Sequence, residues 1–178
     1  MSPGAELLLA VGAYALGCFT TGYYLVRWRT GQDLRCLGSG SLGGRNVGRV
    51  LGRQGFLLAV GGDAAKGVLA LGVARGLGLR AELQLLVLLA VVIGHVWPVQ
   101  LGWHGGKGAS TALGGLLVYD PLTLGAMLGL FGLCYLWRRS FLVSGLAAFV
   151  LVPLLAWGIH RAAWPALEWR GTSTSTSS

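Results

Sequence analysis

The chain has 178 residues, 54% of them hydrophobic and only 11% charged, with a mean hydropathy of +0.66. A water-soluble domain carries about a quarter charged residues, so this composition excludes one and points to a single integral membrane domain. The net charge of +8 sits in a few basic loops, the pattern of cytoplasmic loops beside anionic lipid, so it does not imply nucleic-acid binding.

The first apolar span covers residues 4–26 and ends at Tyr23-Tyr24, followed by Arg27 and Arg29, as at a membrane interface. No basic n-region precedes it, so it reads as an uncleaved span and not a signal peptide; Ala15-Leu16-Gly17-Cys18 is a poor lipoprotein box for the same reason. A polar, glycine-rich loop follows from about 31 to 53. A second span runs over 55–74, a short turn over 75–80 and a third span over 81–101. After a glycine–lysine loop come two shorter apolar stretches, 109–118 and 122–137, divided by Tyr119-Asp120-Pro121. The Arg138-Arg139-Ser140 turn precedes a last span, 141–158. The expected fold is an all-α polytopic membrane protein of five to six transmembrane or half-membrane helices with glycine-rich cytoplasmic loops. Residues 1–160 form the membrane-embedded domain, and 161–178 a polar tail whose Ser/Thr end is read as disordered.

Charge asymmetry favours an outside N-terminus. Arg27, Arg29, Arg35, Arg45, Arg49, Arg53, Lys66, Lys107, Arg138 and Arg139 then lie in or near the cytoplasmic face, against Arg75, Arg80, Arg161 and Arg170 outside. This orientation puts both glycine-rich loops on one side. The 109–118 stretch is short for a full crossing, so a tilted, kinked or half-membrane helix is expected there.

Four places could carry chemistry. In Trp103-His104-Gly105-Gly106-Lys107-Gly108-Ala109-Ser110-Thr111, glycines let backbone N–H groups approach an anion, a helix start adds favourable partial charge, and Lys107 adds a full one. It is not a Walker A loop: Gly102 and Gly106 are one residue too close, and Gly108 follows the lysine where Ser or Thr should. The bland alternative is a flexible turn between helices. The first loop, Asp33 to Arg49, offers Gly38, Ser39, Gly40, Asn46 and several guanidiniums as anion donors, against the alternative of a solvated loop. Asp63 and Lys66 are ionisable groups inside an apolar stretch and at pairing distance on a helix; they are functional candidates or a structural ion pair. His95 closes the third span and could orient a phosphate or accept a proton, although a lone interfacial histidine is more often structural; Pro98 would bend the chain behind it. The scattered Cys18, Cys36 and Cys134 argue for neither disulfides nor zinc.

Together these residues resemble the bacterial acyl-phosphate:glycerol-3-phosphate acyltransferase family, PlsY. Asp33, Arg35, Gly38, Ser39, Gly40, Gly43, Asn46 and Arg49 fall in register on its first motif. Asp63, Lys66 and Gly67 match its D-x-x-K-G element. Gly94, His95, Pro98, Gly105, Gly106, Lys107, Gly108 and Thr111 match its G-H-x-x-P…G-G-K-G-x-x-T element. The Arg–Ser turn and Pro153 also look like its later region, so the match covers about residues 20–157.

The resemblance implies transfer of a fatty acyl group from acyl phosphate to the 1-hydroxyl of sn-glycerol 3-phosphate, giving lysophosphatidic acid and phosphate, in a bacterial inner membrane. It implies catalytic roles for Ser39, Arg49 and His95, and substrate binding by Gly38, Gly40, Asn46, Asp63, Lys66, Gly105, Gly106, Lys107, Gly108 and Thr111. It implies no metal, no cofactor and no nucleic acid. The partners are acyl phosphate, glycerol 3-phosphate and membrane lipids, and the oligomeric state stays open. Arg49, Lys66 and Lys107 are expected to clamp phosphates, and Ser39 with backbone amides to support the developing oxyanion. An acyl-serine is not favoured, because Ser39 has no evident histidine–carboxylate partners.

The sequence departs from the family at Ser41, at Gly44-Arg45 and at His104. It departs again at the C-terminal H-x-x-N-I-x-R-L motif, where His160 is followed by Ala163 and Pro165. A non-catalytic membrane homologue, binding lipid or glycerol phosphate or acting as a partner subunit, is therefore the alternative reading. A small transporter ranks last.

Overall fold

The structure, a computed structural model, describes residues 3–140 together with 143–145, 147, 148, 150, 151, 154, 157 and 158. All regular structure among them is helical: α1 (Pro3–Cys18), α2 (Thr21–Thr30), α3 (Gly44–Gly76), α4 (Ala81–Val96), α5 (Ala109–Tyr119) and α6 (Pro121–Arg138), with short 3-10 turns at Leu34–Cys36 and Val99–Leu101. Four stretches are long and apolar enough to cross a membrane: Gly4–Thr30, Gly44–Gly76, Ala81–Leu101 and Pro121–Arg138. This is the polytopic all-α architecture that the composition requires. α5, at 11 residues, rises about 17 Å, roughly half of a bilayer core of about 30 Å.

Two sequence boundaries need correction. The first span is not continuous: α1 stops at Cys18 and α2 begins at Thr21, with Thr20 in extended conformation (φ −84°, ψ 100°). Phe19 and Thr20 interrupt the helix without interrupting the apolar run. The first loop ends at Gly43 and not at residue 53, because α3 begins at Gly44.

α3 is itself reversed at Gly52 (φ 72°, ψ −167°), a conformation essentially restricted to glycine. In one straight helix residues 44 and 60 would stand about 24 Å apart. Instead a Cβ built on Gly44 would meet Val60 Cγ2 at 2.6 Å, and one on Gly48 would meet Phe56 Cβ at 3.1 Å. The arm 44–51 therefore folds back on the start of the long segment 53–76.

Contacts group residues 1–119 into one compact unit and 120–178 into another. In the first unit α1 packs on α4 and α3 packs on α5. Small residues permit both pairings: Gly17 lies against the carbonyl of Val91 and Gly94 against that of Tyr14, while Gly114 lies against the Ala64 backbone and Gly67 against the carbonyl of Thr111. One buried cluster joins Ala13, Ala70, Leu71, Ala74, Val87 and Val91; a second joins Val26, Leu34, Leu42, Val47, Ala59 and Leu101 beside the loops.

In the second unit Asp120 caps α6 by accepting the Thr123 N–H at 3.1 Å, and Pro121 occupies the first turn, where its missing N–H costs nothing. Arg139 ends the helix in the left-handed region (φ 52°), placing the expected Arg138-Arg139-Ser140 turn. The described residues between 143 and 158 are helical. Pro153, His160, Ala163, Pro165 and the tail 161–178 lie outside the described residues.

Candidate active site

The first loop is held from inside by Asn46. Its Nδ2 donates to Leu37 O and its Oδ1 accepts the Ser39 N–H, both at 2.9 Å. Asn46 is buried, whereas Ser39 is exposed. The amide thus fixes the Ser39 backbone while the residue stays exposed. Arg49 follows one turn later on the folded-back arm and is exposed; among the described residues nothing pairs with it.

Arg35 acts as a strut. It pairs with Asp33 (Nη2–Oδ2 2.6 Å), lies over the Tyr23 ring at 5.6 Å and donates through Nη1 to Leu101 O at 3.3 Å. The hydrogen-bonded guanidinium holds the Asp33 carboxyl below the usual carboxylate range, and the carboxylate raises Arg35 in turn. The first loop is thereby tied to the turn directly before Gly102.

The glycine–lysine loop differs from the expectation. Gly105 N–H donates to Val96 O at 3.0 Å and Gly106 N–H to His95 O at 3.1 Å. These two amides close the C-terminus of α4, whose last carbonyls have no intrahelical partner, and so do not face an anion. Gly106 must be glycine because a Cβ there would run into His95 Nε2. Gly108 (φ 75°) turns the chain into α5, whose first-turn N–H groups have no intrahelical acceptor. Lys107 is exposed immediately before that turn. Thr111 is fully buried where α5 meets Gly67, and its Oγ1 has no described partner.

Asp63, Lys66 and His95 are buried together. Lys66 Nζ lies 2.9 Å from Gly17 O, 2.8 Å from Phe19 O, 2.7 Å from His95 Nδ1 and 3.2 Å from Asp63 Oδ1. Asp63 Oδ1 also accepts the Thr21 N–H at 3.2 Å. An ammonium has three protons and no lone pair, so Lys66 has no donor left for a phosphate, contrary to the clamp expected of it. His95 Nδ1 must accept from it; the network thus assigns the ring proton to Nε2, against Gly106. In this arrangement neither ring nitrogen is placed to take a substrate proton.

The predicted residues therefore separate. Ser39 and Lys107 present exposed side chains from loops tied together through Arg35, and Arg49 presents one from the folded-back arm. Asn46, Gly105, Gly106, Asp63, Lys66 and His95 use their polar groups within the protein. Sequence reasoning missed Gln100, whose Nε2 donates to Cys18 O at 2.6 Å, and Gly52. No charge or motif marked the first; a glycine between Arg49 and Arg53, eight residues beyond the helix start, was the only sign of the second. Among the described residues no three His, Cys, Asp or Glu side chains gather as a metal site.

The model of one protein family, glycerol-3-phosphate acyltransferase, matches residues 7–172. A glycerol-3-phosphate acyltransferase 1 of Desulfitobacterium hafniense (strain Y51) is 48% identical over 152 residues, covering 85% of this chain and 75% of its own. A glycerol-3-phosphate acyltransferase of Pseudomonas paraeruginosa (strain PA7) is 42% identical over 151 residues, covering 84% and 80%. Among solved structures, the glycerol 3-phosphate form of PlsY (YgiH), an integral membrane glycerol 3-phosphate acyltransferase, superposes with a TM-score of 0.76 at 32% identity, over 88% of this chain and 78% of that one. Its lysophosphatidic acid form gives 0.74 at 30% identity over the same shares.

Proposed function

The chain belongs to the glycerol-3-phosphate acyltransferase family, and on that premise we propose that its donor is a fatty acyl phosphate and that Ser39, Arg49 and Lys107 meet the two substrates. The protein is a multi-pass membrane enzyme of phospholipid synthesis that transfers an acyl group to glycerol 3-phosphate. With acyl phosphate as donor, the 1-hydroxyl oxygen attacks the acyl carbon and the bond from that carbon to the phosphate oxygen breaks. The hydroxyl proton leaves with the phosphate, giving lysophosphatidic acid and inorganic phosphate without any redox partner.

Both substrates carry phosphate, and one carries a tail that stays in lipid. The observation that carries this reading is the exposure of Arg49 and Lys107, together with a Ser39 whose backbone Asn46 holds in place, on segments joined through the Arg35–Leu101 hydrogen bond. Arg49 can hold a phosphate through two parallel N–H donors, and Lys107 acts as a point charge at the start of α5. These contacts bring the acceptor hydroxyl to the acyl carbon, which is positioning rather than activation, since an acyl phosphate already carries a good leaving group. The Ser39 hydroxyl donates to the oxygen on which charge develops. The excess of basic residues at the loops supports a bacterial inner membrane with the N-terminus outside and the loops cytoplasmic.

The test is phosphate release from palmitoyl phosphate by the purified protein, with and without glycerol 3-phosphate. Release that requires glycerol 3-phosphate and is lost in Arg49→Ala is the expected result. A folded, monodisperse sample that binds glycerol 3-phosphate without turnover would instead establish the non-catalytic homologue.

A further inference from the structure

We propose that Asp63, Lys66 and Gln100 are positioning residues that close the break between α1 and α2, and so set the first loop against the glycine–lysine loop for acyl transfer. The kinetic part of this inference rests on the function proposed above; the structural part does not.

α1 ends after 16 residues, about 24 Å along its axis, short of a bilayer core of about 30 Å. A helix end at such depth exposes carbonyls that lipid cannot satisfy, and is tolerated only where protein supplies partners. The four carbonyls from Leu16 to Phe19 each have one. Leu16 O accepts the Phe19 N–H at 3.3 Å, Cys18 O accepts Gln100 Nε2 at 2.6 Å, and Gly17 O and Phe19 O accept Lys66 Nζ. On the far side of the break, Thr20 O accepts from Tyr23 and Tyr24, and Asp63 receives the Thr21 N–H. The signs also match the helix dipoles: the cation sits at the C-terminus of α1 and the anion at the N-terminus of α2.

The same two side chains reach both substrate loops. α2 runs from the break towards the first loop, so Asp63 fixes where that loop begins. Lys66 bonds His95, whose ring lies against Gly106, next to Lys107. Displacing Lys66 therefore moves both sets of proposed substrate contacts, although Lys66 touches neither substrate.

The experiment is a double-mutant cycle on the full chain in detergent micelles: Lys66→Gln, Asp63→Asn, and the two combined. Each single change leaves one buried charge without its partner. The double variant is neutral, keeps an amide donor towards the α1 carbonyls and keeps Oδ1 for Thr21. Both singles are expected to lower the melting temperature and kcat, and the double to exceed the worse single by about tenfold or more in kcat and to recover melting temperature. A double variant that melts no higher than the worse single overturns the proposal. So does one that melts like the wild type yet stays as inactive as Lys66→Gln, because the Lys66 charge would then act directly on substrate. Should the singles fail to fold, Gln100→Leu removes one uncharged donor; it is expected to lower melting temperature and kcat, and wild-type values for both would overturn the proposal. If the wild type shows no acyl transfer at all, the proposed function fails, while the melting temperatures still report on the clamp.

Discussion

Replacing Gly52 by alanine tests whether the folded-back arm builds the site. Gly52 holds φ 72° and ψ −167°, and a residue with a Cβ pays about 1–3 kcal/mol to stay there. Beyond the local backbone nothing lies within 4 Å of where that Cβ would stand, so the penalty is one of backbone alone. Docking of the arm opposes it through the two hydrogen bonds of Asn46, about 0.5–1.5 kcal/mol each, and the burial of Val47, worth about 1.5–3 kcal/mol against water and less against lipid. Strain and docking are of the same order, so the substitution populates arms that have lost the Ser39 staple and misplaced Arg49. We expect kcat/KM for glycerol 3-phosphate, read as phosphate release from palmitoyl phosphate, to fall about tenfold, equivalent to about 1.4 kcal/mol. Gly61→Ala is the control: it lies on the same helix, also with open space at its Cβ, but with helical backbone. There alanine gains up to about 1 kcal/mol of helix propensity, and activity should hold. Wild-type activity in Gly52→Ala, or equal damage from Gly61→Ala, would refute the reasoning.

Three further outcomes are expected. Ser39→Ala should lower kcat by about 100-fold or more if its hydroxyl meets the developing oxyanion, with a smaller change in KM, measured by steady-state kinetics. Gly106→Ala should lower both the melting temperature and activity, because its Cβ overlaps the His95 ring that Lys66 holds from behind. The depressed Asp33 carboxyl contributes stability that is complete above its ordinary pKa of about 4 and is lost as pH falls through the lower folded value. Because the pair is partly exposed the effect is small: wild type should melt slightly above Asp33→Asn near neutrality and together with it in strong acid.

Hydropathy made the spans legible because lipid selects on composition, and the spacing of Asp63 and Lys66 made their pairing legible because i and i+3 share a helix face. The same signals are blind to backbone direction. Phe19-Thr20 breaks a helix inside an unbroken apolar run, and Gly52 reverses one whose apolar pattern simply resumes. The acceptors of Lys66 lie 47 and 49 residues away, at the end of α1 and in the break after it, where no local period points. The amides of Gly105 and Gly106 looked available because only the folded chain brings the end of α4 to them. Ser39, Arg49 and Lys107 stood out by motif, and burial then distinguished them from Lys66 and His95, which stood out equally.

The carbonyls at the end of α1 meet their partners late in synthesis. Gly17 O and Phe19 O wait for Lys66, and Cys18 O for Gln100, 82 residues downstream. At about 5–20 residues per second a ribosome needs roughly 4–16 s to cover that last interval. Until then the first span has no α4 to lie against, and its broken end must stay near water or the translocation machinery. Cys18, buried in the folded chain, should therefore react with a water-soluble thiol reagent in nascent chains stalled before Gln100 and become protected after release. Completion of the site is in this sense an event of maturation, timed by chain length, rather than of insertion.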